Sequence, residues 1–122
     1  MGHRNIDSPG ALDEALDQLE DDLDGVETPR LYLATEFESN RSGTKLCLLQ
    51  ISAGTESFLV DPLRLKSLDP LGDLLADPDI EWVLHAGLQD VDLITKNLRV
   101  DPPRRLLDTQ IAWGLLSGRA HI

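Results

Sequence analysis

Three strand-like segments joined by short turns constrain the fold of this 122-residue chain more than any other feature. They are LYLATEF at residues 31–37, KLCLLQIS at residues 45–52 and ESFLVDP at residues 56–62. Their tight connections predict an antiparallel meander. The second segment is apolar at most positions, so we expect a central strand that is covered on both faces.

Helical patterns surround these strands. Ser8, Pro9 and Gly10 predict a helix start, and leucines spaced three and four residues apart then form one apolar stripe that stops near Gly25. Further helices are predicted at residues 68–76, 87–98 and 109–116, a fourth strand at 81–85, and a strand or turn at 106–107. This order predicts one α/β domain over residues 1–122, with a mixed sheet flanked by helices. We expect LYLATEF at or near the centre of the sheet, the next two strands on one side of it, and residues 81–85 parallel to it on the other side.

The charge balance is the most unusual bulk property, with 22 acidic against 11 basic residues and a net charge of −11. It argues against a broad nucleic-acid footprint, although a local site could bind an anion if metal ions supplied the positive charge. No apolar run approaches a membrane span, and MGHRN lacks a secretion signal. We therefore expect no membrane partner. Cys47 lies in an apolar segment, so we expect a buried, reduced thiol and a cytoplasmic protein.

Glu36 is the first candidate site residue. It lies near the C-terminal end of the first predicted strand, where it shares a face with Tyr32 and Ala34 because side chains alternate along a strand. Open α/β sheets place their sites at that end, and a carboxylate there needs a partner if it is buried. From this segment alone, an exposed strand end is the favoured explanation of Glu36.

Other polar residues have structural explanations when each is taken separately. Asp90 falls in the first turn of a predicted helix, where an acid offsets the helix dipole. Asp108 precedes a helix and fits an N-cap, and His85 fits a hydrogen-bonded core residue. Trp82 and Trp113 are most simply core aromatics.

Taken together and in order, several segments resemble the ribonuclease D group of 3′–5′ exonucleases, which belongs to the DEDD superfamily. They are LATEF, KLCLLQIS, FLVDPL, LLADPDIEWVLHAGLQDVDLI and LLDTQIAWGLL. HAGLQD and DTQIA at this distance after TEF are the most specific parts. The resemblance implies a ribonuclease-H-like fold, an RNA or single-stranded nucleic-acid substrate, and phosphodiester hydrolysis by two Mg²⁺ or Mn²⁺ ions that carboxylates hold.

Residue by residue, the resemblance implies two metal-binding and catalytic carboxylates. Glu36 matches the Glu of the family's Asp-x-Glu pair, and Asp90 matches the Asp of its HAxxxD segment. Asp108 falls in the DTQ segment, which supplies no metal ligand in the family. Ala34 occupies the place of the first Asp. The late Tyr-x-x-x-Asp or His-x-x-x-Asp motif is absent, because the one tyrosine is Tyr32, so the C-terminal part of the fold is expected to be missing.

Two functional hypotheses remain open from the sequence. The chain is either a 3′–5′ exonuclease inactivated by Ala34 and by the missing motif, or a non-catalytic binding or assembly module with a nuclease fold. The acidic surface favours the second hypothesis, and an unrelated acidic α/β domain is a third. We expect weak magnesium binding and a homo-oligomer formed through Ile111, Trp113, Leu115 and Leu116. The basic residues that could line a cleft are Arg41, Lys45, Lys96, Arg104 and Arg105.

Overall fold

A computed structural model describes residues 3–85 and 88–109, which form a six-stranded sheet and three helices. In these residues the strands and helices follow one another in the predicted order, with one additional strand at the beginning. The elements are β1 His3–Ile6, α1 Pro9–Leu23, β2 Arg30–Asn40, β3 Gly43–Ser52, β4 Ser57–Val60, α2 Asp69–Leu75, β5 Glu81–Leu84, α3 Leu88–Leu98 and β6 Arg105–Asp108.

The strands lie in the order β1-β4-β3-β2-β5-β6. β2, β3 and β4 form the predicted antiparallel meander, while β5 runs parallel to β2 on the other side. β6 is parallel to β5, and β1 is parallel to β4. The prediction of a mixed sheet with LYLATEF in its interior is therefore confirmed.

The edge strand β1 was not predicted, because its segment HRNI contains a single apolar residue. Backbone pairing with β4, from His3 opposite Ser57 to Ile6 opposite Val60, makes it a strand. Ile6 is buried in the core. Arg4 forms an ion pair with Glu56, whose Oε1 lies 2.9 Å from Arg4 Nε.

The described helices bury their apolar residues against one face of the sheet. Leu31, opposite Trp82 in the strand register, belongs to this covered face, and both residues are fully buried, which confirms Trp82 as a core aromatic. At the start of α1, the Ser8 hydroxyl accepts a hydrogen bond from the backbone N–H of Ala11, which confirms the predicted N-cap. The helices contribute Leu12, Leu16, Leu19, Leu71, Leu75, Ile94 and Leu98 to this core.

The opposite face of β3 is only partly buried, so the prediction of a strand covered on both faces is wrong for the described residues. Leu49 and Ile51 are buried, whereas Leu48 and Gln50 on the other face are half-buried. The register also shifts: Glu36 lies opposite Leu48, but Phe37 lies opposite Leu46. Cys47 is the extra residue of this β-bulge and is half-buried, which corrects the expectation of a buried thiol.

Within residues 3–85 and 88–109, every helix is too short or too polar to cross a membrane. The predicted helix at residues 109–116 continues beyond the described part of the chain. The expected core position of Trp113 and the expected oligomer contact through Ile111, Leu115 and Leu116 also lie outside the described residues.

Candidate functional site

The two halves of β2 have different neighbours. In the described structure β2 pairs with β5 only through Arg30, Leu31 and Tyr32, whereas its pairing with β3 continues to Asn40. The side chains follow this change: Leu33 is buried, Thr35 is half-buried, and every residue from 36 to 40 is exposed. Ala34 and Glu36 therefore lie where the sheet opens on one side of β2.

Helix α3 brings Asp90 to this opening. β5 ends at Leu84 and α3 begins at Leu88, so the first turn of α3 lies just beyond the end of β5. The half-buried carboxylate of Asp90 accepts a hydrogen bond from the hydroxyl of Thr35. Thr35 stands between Ala34 and Glu36 on β2, so the structure places Asp90 beside the segment that carries the first candidate.

Sequence reasoning missed the contact made by Thr35. The sequence contains a signal for this contact, because Thr35 is the polar residue that follows Leu31 and Leu33 on the covered face of β2. A threonine at that place needs a hydrogen-bond partner as it enters the core. The acid in the first turn of the next helix supplies this partner.

Ala34 and Glu36 lie on the opposite face of β2 from Thr35. Ala34 and Glu36 are both exposed, and their partners in the strand register are Gln50 and Leu48. Asp90 thus bonds to the covered-face side of β2, while the carboxylate of Glu36 is free in solvent on the open face. Asp90 therefore lies against the segment of β2 that carries Glu36. Of the two predicted residues, only Asp90 forms a hydrogen bond to this segment.

The described residues do not form a metal centre by themselves. Among residues 3–85 and 88–109, no three His, Cys, Asp or Glu side chains lie together in a way that could hold a metal ion. Mg²⁺ and Mn²⁺ prefer several oxygen ligands. One exposed carboxylate at Glu36 and one hydrogen-bonded carboxylate at Asp90 do not fit a two-metal site.

A cleft of about 500 Å³ lies on the open face of the sheet beside these residues. Residues of β2, β3, β4 and β5 line it, and the methyl group of Ala34 belongs to this lining. Tyr32, which is 45% exposed, lies at its wall. Its polar lining residues include Gln50, Ser52, Ser57, His85 and Thr109.

His85 also lines this cleft, at the end of β5. Its Nδ1 is 2.9 Å from the hydroxyl oxygen of Thr109, and that hydroxyl lies 3.3 Å from the carbonyl oxygen of Leu84. His85 is hydrogen-bonded, as predicted, but it is exposed, so its interpretation as a core residue is wrong. Asp108 ends β6, and most of the helix that it was predicted to cap lies outside the described residues.

Ion pairs neutralise several cations of the described structure. The Arg30 guanidinium donates a hydrogen bond to Glu81, whose oxygen is 2.7 Å from Arg30 Nε, and this hydrogen bond together with the negative charge raises the pKa of Arg30. This pair lies at the start of β2 and β5, at the far end from Glu36. In residues 3–85 and 88–109, the cations without an ion pair are Arg41, Lys45, Lys66, Arg99, Arg104 and Arg105.

Comparison with known proteins gives the same family at the levels of sequence and fold. The sequence model of a family described as 3′–5′ exonuclease matches residues 6–121. Ribonuclease D of Escherichia coli (strain K12) is 35% identical over 99 residues, which cover 73% of this chain and 26% of the relative. The chain therefore spans about a quarter of the length of this relative.

Solved structures share the fold over nearly the whole chain. The crystal structure of Escherichia coli RNase D, an exoribonuclease involved in structured RNA processing, has a TM-score of 0.79 and 30% identity over 93% of this chain and 29% of its own. The EXD2 exonuclease domain soaked in Mn has a TM-score of 0.79 and 20% identity, covering 96% and 61% of the two chains. Trypanosoma brucei RNase D in complex with RNA U12 has a TM-score of 0.74 and 23% identity, covering 91% and 38%. The last two likenesses show the fold alone.

Proposed function

Because the chain belongs to the 3′–5′ exonuclease family, in its ribonuclease D-like group, we propose that it binds single-stranded RNA or another single-stranded nucleic acid but does not hydrolyse it. The observation that carries the proposal is the methyl group of Ala34. It lies on the open face of β2, two residues before Glu36, where the family resemblance puts a metal-binding aspartate.

The chemistry explains why this one position matters. Hydrolysis by two divalent ions needs carboxylates that hold both ions while water attacks the phosphodiester. An aspartate at position 34 would lie on the same face as Glu36, about 7 Å away along the strand. A methyl group offers no ligand, and the carboxylate of Asp90 bonds to Thr35. The described residues therefore supply no metal centre. The open face of the sheet can still bind a nucleic acid.

Relatives support the choice of substrate and metal. Escherichia coli RNase D is an exoribonuclease, and Trypanosoma brucei RNase D has been captured with RNA U12. The EXD2 exonuclease domain was soaked in Mg and in Mn. By analogy, the proposed partner of this chain is RNA or another single-stranded nucleic acid, and the proposed binding of Mg²⁺ or Mn²⁺ is weak. The half-buried free thiol of Cys47 suits the reducing cytoplasm, which is the proposed location.

The substitution Ala34→Asp tests the proposal. Titration calorimetry with Mn²⁺ should give millimolar or weaker binding for the unmodified chain, and about tenfold tighter binding for the variant because a carboxylate adds a hard oxygen ligand. Ala34→Asn is the matched control, since it has the same shape without the charge. Neither variant nor the unmodified chain should release 3′-terminal nucleotides from single-stranded RNA with Mn²⁺, because catalytic groups that act as a unit are strongly non-additive.

Three other outcomes would overturn the proposal or refine it. Nucleotide release by the unmodified chain would show that Ala34 does not inactivate it. Processive degradation by the Ala34→Asp variant alone would make Ala34 the sole lesion of an otherwise competent enzyme. The net charge of −11 favours a second candidate function, a non-catalytic assembly module. In that case neither the unmodified chain nor the Ala34→Asp variant would bind RNA.

A further inference from the structure

The second half of β2 and the first half of β3 form an arm that extends beyond the neighbouring strands. β5 pairs with β2 only up to Tyr32, and β4 pairs with β3 only from Leu49 onwards. Residues 36–45, here called the β2–β3 arm, are all exposed. Its tip is an ordered turn, since the backbone N–H of Ser42 donates to Asn40 Oδ1 at 2.8 Å and the Ser39 and Thr44 hydroxyl oxygens are 3.1 Å apart.

This arm carries two cations that have no ion pair within the described part of the chain, Arg41 and Lys45. By contrast, acids neutralise Arg4 and Arg30, which lie elsewhere in the sheet. Arg105 also lacks an ion pair among the described residues, but it lies opposite Glu81 at the start of β6, the end of the sheet away from Glu36. The arm thus carries two cations without an ion pair beside the candidate site, together with the acids Glu36 and Glu38, in a molecule with a net charge of −11.

The strand register places Lys45 on the same face as the candidate site. Lys45 lies opposite Glu38, and Glu38 shares the open face of β2 with Glu36, Ala34 and Tyr32 because residues two apart point the same way. The bulge at Cys47 preserves this arrangement, since Phe37 pairs with the buried Leu46 on the covered face. An exposed aromatic ring and a cation thus stand about 20 Å apart along one strip, with Glu36 between them.

We propose that Arg41 and Lys45 hold the phosphate backbone of a single-stranded nucleic acid along the open face of β2, while the ring of Tyr32 stacks on a base. Aromatic rings combined with cations along a groove are the usual way in which proteins bind single strands. Contacts to phosphates carry no sequence information, so RNA and DNA are held alike by the arm. The inference rests on the proposed function and adds the residues that would guide the strand.

The test is binding of fluorescently labelled single-stranded RNA and DNA of one mixed sequence, measured by anisotropy in EDTA across a salt series. The double variant R41Q/K45Q should reduce the slope of log affinity against log salt by about 1.4, since each phosphate contact on a single strand contributes about 0.7. At about 50 mM salt the affinity should fall at least tenfold for both nucleic acids. K66Q/R99Q is the matched control, because it removes the same charge from exposed positions outside β2 and β3.

Three further variants, taken together, distinguish the loss of these contacts from misfolding. Glu38→Gln removes a negative charge opposite Lys45, so it should tighten binding severalfold. Tyr32→Ala should weaken binding about fivefold or more through the loss of stacking, while Tyr32→Phe keeps the ring and should bind like the unmodified chain.

Several outcomes would overturn the inference. Binding by R41Q/K45Q equal to that of the unmodified chain, an equal loss in K66Q/R99Q, or no binding of either oligonucleotide at about 50 mM salt would each do so. If R41Q/K45Q differs from the unmodified chain in self-association by light scattering but binds nucleic acid equally well, the arm forms a protein contact instead. Because EDTA removes metals, RNA hydrolysis by the unmodified chain in Mn²⁺ would contradict the proposed function while leaving this result standing.

Discussion

The two halves of β2 show how one strand can serve the fold at one end and a site at the other. Residues 30–33 lie between β3 and β5 at the start of β2. Their apolar side chains, Leu31 and Leu33, are buried in the core beneath the helices. Residues 35–40 keep only β3 as a partner strand in the described structure, and most are exposed. We infer that the first half determines stability, whereas the second half can change its chemistry at little cost to folding.

The largest expected effect comes from placing the same charge on two adjacent residues. Leu33 is 5% exposed and points into the core, so Leu33→Asp buries an unpaired carboxylate and should cost several kcal/mol, enough to unfold the domain. Ala34→Asp places the charge on the exposed face and should change stability by about 0.5 kcal/mol or less. Circular dichroism during urea titration measures both, and comparable unfolding of the two variants would break the comparison.

A second pair removes apolar side chains from the two halves. Leu31 is fully buried, so Leu31→Ala should lower the free energy of unfolding by about 2–5 kcal/mol. Phe37 is 39% exposed on the arm, so Phe37→Ala should cost less, about 1 kcal/mol. Urea midpoints at equal m-values are the readout, and a larger loss for Phe37→Ala would mean that the arm packs more tightly than its exposure indicates.

The hydrogen bond between Thr35 and Asp90 joins the two halves to α3 and should have an intermediate effect. Thr35→Val keeps the shape of the side chain but removes the donor, and we expect a loss of about 1 kcal/mol because the carboxylate stays partly solvated. A double-mutant cycle with Asp90→Ala should give a coupling energy of about the same size. A coupling energy indistinguishable from zero would show that α3 is held at this point by its apolar contacts alone.

The smallest effect is expected at the exposed ion pair of Arg30 and Glu81. Glu81→Gln should cause a slight loss of stability that disappears at high salt, because salt screens exposed charges. The pKa of Arg30 is raised, so its stabilising contribution is complete below the unfolded-state pKa and is lost only at more alkaline pH. Stability measured from about pH 7 to about pH 10 should therefore show no titration of this guanidinium. A salt-independent loss would assign Glu81 a packing role.

Much of this fold follows from the spacing of apolar residues. The meander and the parallel β5 were predictable because apolar segments of strand length alternate with turn residues and a helical stripe. β1 was not, because HRNI becomes a strand only through its pairing with β4. The bulge at Cys47 also escaped prediction, since a continuous apolar segment does not show where an extra residue is inserted.

The sequence predicts a set of candidate site residues, and their role stays a prediction, but it did not predict their geometry. Glu36 and Asp90 were identified from the motif, and the structure brings them to one segment of β2. The bond between Asp90 and Thr35 depends on how α3 is rotated about its axis, which the packing of Leu93, Ile94 and Leu98 in the core determines. Tertiary contacts of this kind are not encoded in local sequence patterns.

The exposed methyl group of Ala34 also affects how the domain depends on ions. Carboxylates gathered for a metal repel one another when the metal is absent, so such a domain gains stability as ions bind, by about 2.7 kcal/mol at one hundred times the dissociation constant. With alanine at this place and only weak ion binding, the thermal transition of the chain should be nearly the same in EDTA and in Mn²⁺ at concentrations well below the dissociation constant. We therefore expect the folding of this chain to be uncoupled from the supply of divalent ions.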